Sequence, residues 1–165
     1  HHPVEAFMNA ASPGVIALFQ PNRYYPSHAT YLEALAEAMR PEYERIVASG
    51  FLLQLDSPDL GLGRHMMFKD KSDAEYERLA TLHVEVLNHA LRNIPPDRVR
   101  MHLCWGNYEG PHHRDIPLAA IFPTVMKVTP ARIGWPGCSG TGGRKLMKRQ
   151  SLFDRIWNGM IEATA

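Results

Sequence analysis

Three times between residue 14 and about residue 127 the chain repeats one order: a short apolar run, a polar loop, then a long helical pattern. The first run is Val15-Ile16-Ala17-Leu18-Phe19, read as a strand and followed by "QPNRYYPSH". After it, Tyr31, Leu32, Leu35, Met39, Tyr43, Ile46 and Val47 recur near the helical period. Pro41 is expected to kink or divide that helix, because proline removes a helical N–H, and Gly50 is expected to stop it. The second run, Phe51 to Asp56, leads into a loop of about a dozen residues carrying Arg64 and His65. Ser72 and Glu75 have capping-box spacing, and Leu79, Leu82, His83, Val86, Leu87, Ala90 and Leu91 form the apolar stripe behind them. The third run, Val99 to Trp105, precedes a shorter helix over Leu118 to Lys127, and "ARIGW" opens a fourth strand. Repeated strand–loop–helix units predict an α/β fold with a parallel sheet or barrel.

The unusual polar residues of each unit lie in the loop after its strand. In parallel α/β folds the carboxyl ends of the strands form the functional edge. The loops at Asn22 to Pro26, Asp56 to His65 and Gly106 to Asp115 are therefore expected to lie together. A length of 165 residues suits one core, and a net charge of +1 gives no reason to expect nucleic acid or an anionic membrane as partner. No apolar run reaches the ~18 residues of a membrane span, and the first residues lack a signal-peptide core. Two cysteines, Cys104 and Cys138, argue against a disulfide framework and make a reducing cytoplasm the expected location.

His102 and Cys104 are two apart on the third strand, so both side chains point to one face. Imidazole and thiolate are preferred zinc ligands, although a catalytic zinc usually takes three ligands from the protein. A Cys/His nucleophile pair and a plain core strand are the other two readings. Asp56 ends an apolar strand, where a carboxylate is costly unless it is paired or binds a cation such as a substrate ammonium group. His112, His113 and Asp115 are candidates to extend a metal site, to bind an anion, or simply to form a solvated loop. His28, His83 and His89 fall in helical stretches, where packing or a solvated face is the expectation.

The character of the chain changes after about residue 134. A glycine-rich stretch leads to a basic cluster of Arg144, Lys145, Lys148 and Arg149 and then to an amphipathic pattern over residues 152–161. "GTGGRK" lacks the phosphate-loop pattern. The division expected is therefore residues 1–133 and an atypical tail, 134–165.

In order and spacing, "FMNAASPGVIALFQPNRYYP", "FLLQLDSPDL" and "VRMHLCWGN" resemble the catalytic barrel of cobalamin-independent methionine synthase and its single-barrel relatives. The resemblance spans about residue 4 to residue 133. It implies a partial (β/α)8 barrel of three to four βα units, with His102 and Cys104 as zinc ligands and Asp56 as the contact to the amino group of homocysteine. The implied activity is methyl transfer from 5-methyltetrahydrofolate to homocysteine, as in methionine biosynthesis. The family's next strand ends in glutamate, where this chain has Pro136, and Cys138 comes too soon to be the family's later zinc-binding cysteine. A piece of a barrel is therefore expected, self-associating through its open strand edges. Two other readings remain: another zinc-activated thiol alkyltransferase of the epoxyalkane–coenzyme M type, or a non-catalytic α/β domain with a partner-binding basic tail.

Overall fold

A computed structural model describes residues 5–106, 111–130, 132–135 and 145–148. The chain opens with β1 (Phe7–Ala11), α1 (Pro13–Phe19) and α2 (His28–Ala48), then β2 (Leu52–Asp56), α3 (Asp59–Met66) and α4 (Asp73–Ala90). A 3-10 turn (Pro96–Arg98) leads to β3 (Val99–His102), α5 (Leu118–Val125), β4 (Arg132–Trp135) and β5 (Lys145–Lys148). The described strands form one mixed sheet in the order β1-β2-β3-β4-β5. The first four pair in parallel, and β5 runs antiparallel to β4. The fold is α/β. The expected division at 133/134 falls within β4, and the tail supplies β5 to the same sheet. Pro136, Cys138, the glycine-rich stretch, Arg144, Arg149 and the amphipathic pattern over 152–161 lie outside the described residues.

The register gives the sheet two unlike faces. Ala10, Leu55, Met101 and Ile133 stand side by side across the four parallel strands. All four are buried, and they pack in one core with Leu32, Tyr43, Tyr76, Leu87 and Ile121 of the helices. When parallel strands follow one another in sequence order, right-handed crossovers lay their helices on the same side. On the opposite face the register aligns Asn9, Gln54 and Arg100 in one row and Ala11, Asp56 and His102 in the next. None of the polar residues in those rows belongs to the core cluster. Phe7 lies on this face too, with the Arg100 guanidinium carbon 3.7 Å from its ring centre.

Two segments expected as strand and loop are helices. Val15 to Phe19 belongs to α1, and the strand is the preceding "FMNAA". Ser12 caps α1 by accepting from the Val15 amide, and Pro13 at the first turn supplies a helical φ without needing a donor. The run is apolar because α1 is largely buried, whereas three of the five residues of β1 are exposed. The stretch beyond Ser57 and Pro58, expected as a loop, winds into α3, so Arg64 and His65 sit on the last turn of a helix. Pro41 does not divide α2, which runs 21 residues before Gly50 takes a φ of 89°. The capping box at Ser72 and Glu75 forms with both of its reciprocal bonds.

Candidate functional site

The carboxyl ends of β1, β2 and β3 are tied together beyond their last strand residues. The Ser12 amide donates to the Asp56 carbonyl, and the Ser57 amide to the His102 carbonyl, each at 3.0 Å. On the polar face these ends border a cleft of about 420 Å³ lined by Asn9, Ala10, Ala11, Gln54, Asp56 and His102. Asp56 and His102 are direct partners in the β2–β3 register, with His102 Nε2 3.8 Å from Asp56 Oδ1. Asp56 keeps 54% of its side chain exposed, so the cost of burying a carboxylate, on which its sequence reading leaned, does not arise. Its carboxylate stands at the open cleft beside His102.

Past the end of β3 the alternation continues. Met101, Leu103 and Trp105 are buried, whereas His102 and Cys104 are half-buried between them. The Trp105 indole donates to the Ile116 carbonyl at 2.9 Å, which holds the chain beyond Cys104 against the segment leading to α5. Gly61 of α3 allows the close approach here: a Cβ on it would come within 2.6 Å of the Cys104 carbonyl oxygen. The donors of His102 and Cys104 suit zinc by type, nitrogen and sulfur. In number they make half a site. Among the described residues no three His, Cys, Asp or Glu side chains are arranged to hold a metal ion.

Two of the three loops expected to converge do meet. His65, on α3, lies with Nδ1 3.7 Å from Asp115 Oδ1, and His112 Nδ1 is 2.8 Å from Asp115 Oδ2. The His65 ring centre is 6.0 Å from that of His112 and 5.6 Å from that of His113. His112, His113 and Asp115 thus form a clasp with α3, and none of them lines the cleft. The Asn22 loop is organised internally instead: the Asn22 side chain bonds the backbone of Tyr24, Tyr25 and Ser27.

A further cluster was not singled out from the sequence. Asp59, on the first turn of α3, is buried with 3% exposure, and Ser12 Oγ donates to its Oδ1 at 3.0 Å. Its Oδ2 lies 2.8 Å from His83 Nδ1, and His83 Nε2 lies 2.9 Å from His28 Nε2. The Tyr76 hydroxyl donates to the Asp59 carbonyl at 2.6 Å. Burial, and then the charge of His83, lower the pKa of His28 from 6.5 to about 4. The signal available in the sequence was His83 within the apolar stripe of α4, since a histidine at a core position needs a polar partner. His89, by contrast, is on the surface, with Nε2 2.7 Å from Glu37 Oε1. Hydrogen bonds from Arg40, His89 and Arg92 lower the Glu37 pKa to about 2.

The class these features define is a parallel-sheet α/β protein with a polar cleft at the carboxyl edge of its strands. Comparison with known protein families, with characterised proteins and with solved structures finds no match to the chain. No described helix is long and apolar enough to cross a membrane.

Proposed function

We propose that the chain carries part of a (β/α)8-type barrel of the zinc-dependent thiol alkyltransferase kind, and that its reaction is methyl transfer from 5-methyltetrahydrofolate to homocysteine. The observation that carries this reading is the pairing of Asp56 with His102 at adjacent parallel strand ends, lining one cleft. Strands in sequence order with polar rows on the face opposite the helical core also suit a barrel lining. His102 and Cys104 would hold zinc, which supplies an acceptor sulfur ionised at neutral pH. Asp56, charged and largely exposed, attracts the ammonium group of an amino-acid thiol. Asn9 and Gln54, in register beside it, offer amide groups that can orient the same substrate.

The test is zinc content and homocysteine methylation by the purified chain, compared with His102→Ala and Cys104→Ser. Zinc and methylation that are present in the wild type and lost in both variants support the proposal. Equal, negligible zinc in all three proteins, with no methylated product, would sink it.

A further inference from the structure

A chain of polar groups running from buried Ser12 to half-buried His28 joins four helices. Ser12 caps α1, Asp59 opens α3, His83 lies inside α4, and His28 is the first residue of α2. Ser12 directly follows Ala11, and Asp59 stands three residues after Asp56; both Ala11 and Asp56 line the cleft. The amide of Ser12 is itself bonded to the Asp56 carbonyl. Whatever holds Ser12 and Asp59 in place therefore also sets two walls of the cleft.

The geometry limits how many protons this chain can carry. Asp59 accepts from Ser12 through one oxygen and faces His83 Nδ1 with the other, which makes Nδ1 the protonated donor. The 2.9 Å contact between His83 Nε2 and His28 Nε2 has room for one proton. The two rings can be neutral together, or carry one charge between them. With both as imidazolium, two N–H bonds would meet head to head, and the contact would be lost. The groups facing the pair are Asp59 from α3, Ser12 at the start of α1 and, beside them on α4, Tyr76, whose phenol burial pushes up out of range. Phe68 packs edge-on against His28 and His83 and offers no charge. Asp59 is therefore the one carboxylate among the described groups in this chain of bonds.

We propose that Asp59, His83 and His28 form an acid-sensitive brace that holds the cleft's rim in place and releases it when both histidines are charged. Acidification then parts the start of α2 from α4 and loosens the segments at Ser12 and Asp59. The low pKa of His28 places that release between pH 6.5 and about 4. The inference does not depend on the reaction proposed for the cleft, and its test needs no substrate.

Amide hydrogen exchange of the full chain, corrected for intrinsic rates, is measured from pH 7 to pH 4 by mass spectrometry. In the wild type, protection over residues 11–16, 28–34 and 56–62 is expected to fall at least tenfold as the pH drops, while β3 stays protected. In His28→Gln the side-chain amide donates to His83 without titrating, so the fall in the same segments should disappear. A second measurement serves if that variant fails to fold. Long-range proton–nitrogen NMR of wild-type histidines at pH 7 should show His83 protonated on Nδ1. Unchanged wild-type protection down to pH 4, the same fall in a folded His28→Gln protein, or an unprotonated His83 Nδ1 would each overturn the brace.

Discussion

Two clusters at the same edge of the sheet differ in how they hold their charge. Asp56 and His102 face each other across 3.8 Å in an open cleft, where water screens both. Asp59 and His83 sit 2.8 Å apart with side-chain exposures of 3% and 4%, and both Asp59 carboxylate oxygens face partners. The open pair is the looser of the two, and it borders the cleft. The closed pair is committed to the fold, and its two partners come from different helices. Within three residues of chain, from Asp56 to Asp59, a carboxylate thus changes from an exposed group into a buried one.

The sharpest way to break this contrast is to remove one partner of the closed pair. His83→Ala leaves Asp59 with a buried, unmatched charge and should cost about 3–5 kcal/mol of stability, read as a lowered urea midpoint. A cost near zero would show that the pair is not committed. Gly14→Ala attacks the same cluster by crowding, because the added Cβ would fall 1.9 Å from Asp59 Oδ2 and 2.5 Å from His83 Nδ1. Overpacking of this kind should cost about 1–3 kcal/mol, measured in the same way.

Acid should separate the clusters next. The pKa of His28 is lowered in the fold to about 4, so the unfolded chain binds a proton that the folded chain refuses. The stability linked to this group is complete above pH 6.5 and is lost as the pH falls from there toward 4. Unfolding midpoints over that range should therefore drop in the wild type and drop less in His28→Gln. Asp56→Ala should have the smallest effect, within about 0.5 kcal/mol, because its carboxylate is largely exposed. A loss of several kcal/mol at Asp56 would mean that the two clusters are one structural unit.

That Asp56 and His102 lie near strand ends was legible in the sequence because strands alternate locally; that they face each other across β2 and β3 was not. His102 and Cys104 are two apart, Asp56 ends an apolar run, and no distant contact is needed to place them at an edge. The reading of Val15 to Phe19 failed for a related reason: five apolar residues fit a buried strand and a buried helix turn equally well. Ser12-Pro13 held the deciding helix-start signal, while the true strand, "FMNAA", hid its nature behind an exposed edge. The role of Asp59 was not legible at all, since its partners lie 24 and 47 residues away.

What the sequence determined by itself was local: the α/β order, the capping box at Ser72 and the stop at Gly50. Each follows from backbone sterics or from the period of a helix or strand, acting over a few residues. Only the tertiary structure decided which side of each strand would be covered, that Asp56 would remain in water, and that Asp59, His83 and the half-buried His28 would join in one chain of bonds. Those outcomes depend on how the helices pack across one face of the sheet. That packing sets solvent exposure, and exposure decides whether a charge serves a ligand or the fold.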